Sequence, residues 1–217
     1  MKQKVIELIE KHRIIAILRG IHKEDLLPLS EALYQGGIRL LEVTYSNHSL
    51  QSDEDTADLI KLLSENMKNK MEIGAGTVLT EKQVRFTHDA GGSFIISPNT
   101  DGTVIKETLR LGMVSIPGAL TPTEVVAAHN YGADLVKLFP VTSLGTEYIK
   151  AIRSPLANIK LLAVGGVDLN NINEYLRAGA CGVGIGACIA DKGMIRQKNW
   201  EGIAKLARAF TERVENE

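Results

Sequence analysis

A closed (β/α)8 barrel is the fold this sequence predicts, and three observations predict it. Short apolar runs alternate with helix-periodic segments along all 217 residues. The apolar runs are apolar on nearly both sides, as strands buried under helices on a parallel sheet are. No long Pro- or Ser-rich linker divides the chain, so one domain spanning 1–217 follows. Alternating strand and helix means a parallel sheet, and eight such units in one domain close into a barrel. An open doubly wound sheet is the competing architecture. It would carry a GxGxxG turn after its first strand, where this chain reads Leu18-Arg19-Gly20-Ile21.

The elements follow in order. Residues 1–13 form a charged amphipathic segment. The run behind it, 14–18, is the first strand and is too short for a signal peptide or a membrane span. Further strands are expected at 38–43, 72–75, 93–96, 113–116, 135–139, 160–164 and 182–185. Helical periodicity marks 26–33, 57–63, 104–111, 123–129, 148–152, 172–178 and 200–214. Glycines at Gly37, Gly91, Gly112, Gly132 and Gly179 stand just before strands, as helix C-caps do.

The totals exclude several classes of protein. Lys plus Arg number 25 against 26 Asp plus Glu, so no large net field favours nucleic acid or a membrane surface. The two cysteines, Cys181 and Cys188, make neither a CxxC nor a Cys/His cluster, so no zinc site or disulfide framework is expected. A reduced, cytoplasmic compartment is the default. The five histidines fall on helices or loops rather than at strand ends, which argues against a catalytic His and against a His-ligated metal.

In a barrel the C-terminal ends of the strands carry the site. The sixth run, Leu135-Val136-Lys137-Leu138-Phe139-Pro140, holds a lysine in its middle. Alternation puts Lys137 on the face of Leu135 and Phe139, where desolvation favours the neutral amine. A neutral amine attacks carbonyls, which is Schiff-base chemistry. The structural alternative is an ammonium that reaches past the strand end to water. Glu42, flanked in phase by Leu40 and Thr44, is the second charge inside an apolar strand. Its structural alternative is an ion pair with Arg39 or a barrel-closing salt bridge. An inward Lys and an inward Glu suit a nucleophile and a proton shuttle.

Gly165-Gly166 and Gly184/Gly186 follow the last two strands, where barrels often bind phosphate through backbone N–H groups. No Lys or Arg lies beside them in sequence, so neutral donors are expected there. Arg19 and Thr77 are candidates for a substrate carboxylate. Thr77 taken alone reads first as a capping hydroxyl, and Arg19 could equally pair with Glu42. Cys188 is read as a small buried residue, because no His accompanies it.

Taken in order, Leu41-Glu42-Val43-Thr44, Gly74-Ala75-Gly76-Thr77-Val78-Leu79, Ser97-Pro98, Ile116-Pro117-Gly118, Val136-Lys137-Leu138-Phe139-Pro140 and Gly165-Gly166 resemble the class I aldolases of 2-keto-3-deoxy-6-phosphogluconate. That family includes 4-hydroxy-2-oxoglutarate aldolases and the galactonate-type homologues. The resemblance implies a homotrimeric barrel without metal or organic cofactor, acting on a phosphorylated 2-keto-3-deoxy sugar acid and releasing pyruvate. It implies that Lys137 forms the Schiff base and Glu42 moves protons. Thr77 and Pro98 would then lie by the pyruvate portion, and Gly165, Gly166, Gly186 and Ala187 by the phosphate. The chain departs from the family at Ser46-Asn47, where many members have Arg-Thr, and Arg19 would take that arginine's part. It departs again at Val164 and Ala187, where hydroxyl residues are usual. A phosphate-binding barrel isomerase or synthase without a covalent lysine, and a non-catalytic sugar-phosphate binder, are the rival readings.

Overall fold

The computed structural model describes residues 2–46 and 52–215. Asn47 and His48 lie outside the described residues. The elements run α1 (Lys2–His12), β1 (Ile14–Leu18), α2 (Lys23–Gln35), β2 (Leu40–Thr44), α3 (Asp53–Asn66), β3 (Glu72–Gly76), α4 (Glu81–Asp89), β4 (Phe94–Ile96), α5 (Gly102–Arg110), β5 (Val114–Ile116), β6 (Gly118–Ala119), α6 (Pro122–Asn130), β7 (Val136–Leu138), α7 (Gly145–Arg153), β8 (Leu161–Val164), α8 (Ile172–Arg177), β9 (Gly182–Ile185), α9 (Lys192–Arg196) and α10 (Trp200–Glu215).

All described strand pairs are parallel, in the order β5-β4-β3-β2-β1-β9-β8-β7-β6. Nine segments appear where eight were expected, because the fifth strand is split at Pro117. Proline has no N–H to give to a ladder. Upstream of it β5 pairs with β4, and downstream β6 pairs with β7. Lys137 N donates to Pro117 O at 2.8 Å and Leu135 N to Ser115 O at 3.3 Å, so the two ends of the sheet meet along one chain segment. The fold is therefore a (β/α)8 barrel with one broken stave.

Helix caps explain where several helices begin. Ser52 caps α3 in a reciprocal capping box with Asp55, and Thr121 does the same for α6 with Glu124. The five expected C-cap glycines all have positive φ, between 74° and 106°.

The core has two shells. Alternate strand residues face outward into a layer shared with the helices, such as Ile14, Ala16 and Leu18 on β1. The others fill the barrel: Ile15, Leu40, Phe94, Ile96, Val114, Ile116 and Leu162. Helix α1 adds Val5, Ile6 and Ile9 to that inner cluster, so it stoppers the N-terminal end of the barrel. Ion pairs pin it there, Lys2 to Asp134 at 2.9 Å and Glu10 to Lys160 at 2.5 Å.

Candidate active site

The other end of the barrel opens into a pocket that carries charged side chains among apolar ones. Alternation on β2 turns Leu40 and Glu42 inward, and on β7 it turns Lys137 inward between Leu135 and Phe139. Glu42 is 2% exposed and Lys137 is 6% exposed, so neither side chain reaches bulk water. The Lys137 ammonium sits 4.5 Å from the centre of the Phe139 ring. Snorkelling is thereby excluded.

The pairing alternatives for Glu42 are not what the fold adopts. Arg39 donates instead to the carbonyls of Tyr34 and Ile38, at 3.0 and 2.8 Å, and lies over the Tyr34 ring. Glu42 Oε1 accepts from the Thr44 hydroxyl at 3.1 Å, and Oε2 makes no hydrogen bond with the described protein. The space for this carboxylate is provided by Gly76, paired one residue beyond Ala75 on the neighbouring strand. A Cβ built on Gly76 would stand 1.6 Å from Glu42 Oε1.

Burial dominates both titrations. It raises the pKa of Glu42, against the smaller opposing pulls of Lys137, the Thr44 hydrogen bond and Arg19. It lowers the pKa of Lys137, against the pull of Glu42 and with help from the Arg19 charge. Both groups are thus driven toward neutrality, which leaves an amine able to attack and a carboxyl able to carry a proton.

One pocket of about 400 Å³ contains this pair. Arg19, Glu42, Lys137, Gly165, Gly166, Gly186 and Ala187 all line it. Gly165 and Gly166 have φ of 101° and 73°, so that turn is built from residues that tolerate the left-handed region. Thr77 and Pro98 are half-buried on the same rim, at the ends of β3 and β4, but they are not part of the pocket lining. Thr77 has φ of 56°, a strained value for a β-branched residue.

Two expectations are corrected here. Cys188 is exposed rather than buried, since it lies on the segment after β9 that lines the open pocket. A cation also stands beside the glycine turns: Lys192, the first residue of α9, lines the same pocket. Local sequence hid it, since the segment must fold back before Lys192 shares a pocket with Gly165 and Gly166. The one signal was Asp191, a capping type ahead of a short helix.

The fold and the site together define a (β/α)8 barrel enzyme with a buried amine and a buried carboxyl group in one pocket. Comparison with known proteins narrows this to one family. The model for "KDPG and KHG aldolase" matches residues 5–206, and the chain belongs to that family. A 2-dehydro-3-deoxy-phosphogluconate aldolase of Haemophilus influenzae is 32% identical over 95% of this chain and 94% of its own. A probable 2-dehydro-3-deoxy-6-phosphogalactonate aldolase of Rhizobium meliloti is 37% identical over 89% and 90%. Among solved structures, KDPG aldolase from Legionella pneumophila, with pyruvate captured as a covalent carbinolamine, superposes with a TM-score of 0.84. It is 30% identical over 93% of this chain and 95% of that one.

Proposed function

We propose that this protein is a class I aldolase that cleaves a 2-keto-3-deoxy-6-phospho sugar acid to pyruvate and glyceraldehyde 3-phosphate. The observation that carries the reading is the buried Lys137–Glu42 pair, shifted together toward neutrality at the open end of the barrel.

The reaction runs as follows. The Lys137 nitrogen adds to the C2 ketone and gives a carbinolamine. Glu42 supplies the proton with which the C2 oxygen leaves as water, and an iminium remains. Glu42 Oε2, which has no hydrogen-bond partner among the described residues, then accepts the proton of the C4 hydroxyl. The C3–C4 electron pair moves into the iminium, forming a neutral enamine as C4 becomes the aldehyde. Glyceraldehyde 3-phosphate leaves. The enamine takes a proton at C3, and water hydrolyses the iminium to pyruvate and free Lys137. In this reading Arg19 holds the carboxylate beside the amine, with Thr77 and Pro98 bordering the pyruvate portion. Gly165, Gly166, Gly186 and Ala187 face the phosphate.

The same bond cleavage applied to 4-hydroxy-2-oxoglutarate would give pyruvate and glyoxylate. Family resemblance supports a single domain over residues 1–217, a homotrimer and a cytoplasmic location. No helix among the described residues is long and apolar enough to cross a membrane.

Incubation with pyruvate and borohydride, followed by intact mass and peptide mapping, tests the reading. A single adduct on Lys137, lost together with turnover in a folded Lys137→Ala variant, is the expected result. Turnover retained in that variant, or no adduct in the folded wild type, overturns the Schiff-base scheme.

A further inference from the structure

Besides Lys137, two cations line the pocket, and they serve different parts of it. Arg19 is felt by the buried pair: its charge lowers the pKa of both Lys137 and Glu42. Lys192 is among the influences on neither group. It stands instead past the turn that leaves β9, on the same wall as Gly186, Ala187 and Ala190.

That wall is poor in side-chain donors. Val164, Val167, Ala187 and Ala190 carry no polar hydrogen, Cys188 has only a weakly donating thiol, and the Gly165–Gly166 turn offers backbone alone. The carboxylate next to Lys192 is engaged elsewhere, since Asp191 Oδ1 accepts from Met194 N at 2.7 Å. Among the described residues no ion pair holds the Lys192 ammonium. The pocket thus presents one cation whose field reaches the buried amine and a second, exposed one on the segment after β9. A ligand that satisfies both carries an anion at each end.

We infer that Lys192 is a specificity-determining residue, whose ammonium pairs with the phosphate at the end of the substrate farthest from the ketone. The inference rests on the Schiff-base reading, which fixes the ketone at Lys137. Lys192 is exposed, so its contact is screened and weakens with salt. The effect expected is about tenfold, the low end for a charge-assisted hydrogen bond at an exposed position.

The test compares wild type, Lys192→Met and Lys192→Arg. Two readouts are taken: the ratio of kcat/KM for the 6-phosphorylated acid over its non-phosphorylated analogue, and the affinity for glycerol 3-phosphate by calorimetry, which needs no turnover. Lys192→Met should lower the ratio about tenfold, through KM rather than kcat, and weaken glycerol 3-phosphate by a similar factor that shrinks as salt rises. Lys192→Arg should keep the preference. An unchanged ratio in Lys192→Met, or equal losses on both acids with glycerol 3-phosphate still bound, overturns the inference. Should wild type form no pyruvate adduct, the aldolase reading falls, while the glycerol 3-phosphate comparison still decides the role of Lys192.

Discussion

Substituting Gly76 by alanine should disable the enzyme without touching any polar group. A Cβ at that position would lie 1.6 Å from Glu42 Oε1 and 2.1 Å from its carboxyl carbon, where contacts under 3.0 Å are essentially unknown. The carboxylate must therefore retreat by more than an ångström, since β3 is held on both sides by β2 and β4 and cannot yield instead. Displacement of a reacting group by about 1 Å can cost on the order of 10²-fold in rate. Full loss of a general acid–base contributes roughly 10²–10⁴-fold. Gly76→Ala should accordingly lower kcat by at least about 10²-fold. Overpacking at this site should cost about 1–3 kcal/mol of stability, which denaturant titration would read. The decisive assay is a double-mutant cycle with Glu42→Gln, measured as single-turnover cleavage. If Gly76 acts through Glu42, the double variant is no slower than Glu42→Gln alone. Multiplying losses, or a Gly76→Ala enzyme with wild-type kcat, would refute the reasoning.

Two further outcomes follow from the geometry. Arg19→Met removes a charge that lowers the Lys137 pKa, so that pKa rises and less of the amine is neutral at a given pH. The acid limb of the kcat/KM profile should therefore move to higher pH, and a limb that moves down or stays put would contradict the assigned coupling. Ile9→Ala hollows the stopper at the closed end of the barrel, where Ile9 is fully buried. It should lower stability by about 2–5 kcal/mol while the pyruvate adduct on Lys137 still forms.

Much of this was legible because it is local. A charge inside an apolar strand is anomalous within a few residues, so Lys137 and Glu42 stand out from sequence, as do the glycine C-caps. What escaped depends on distant contacts. The broken fifth strand arises because Pro117 marks a change of bonding partner from β4 to β7, and no window of sequence contains both. Helix α4 leaves little periodic signal in the sequence, because only Gln83, Val84 and Thr87 of its nine residues are buried and its apolar stripe is thin. Thr80 with Gln83 three residues on was the available signal, and both side chains do engage the helix start. The amphipathic character of α1 was evident, but that its apolar face closes the barrel depends on the whole sheet being assembled. Lys192 and Gly76 matter through neighbours on other elements, and composition cannot show that.

The stopper formed by α1 has a consequence for traffic. With Val5, Ile6 and Ile9 filling one end, traffic is directed to the opposite end of the barrel. Lys137 is buried in this chamber, whereas Lys192 on its lining is exposed; on the proposed Schiff-base reading the adduct therefore sits deep and the phosphate end lies nearer the threshold. On that reading the aldehyde fragment would stand between the pyruvate fragment and the exit, and release would be ordered by position: the phosphorylated piece first, the covalently held piece last. Run backward, the same corridor admits pyruvate first and leaves the aldehyde to arrive at an enamine already waiting.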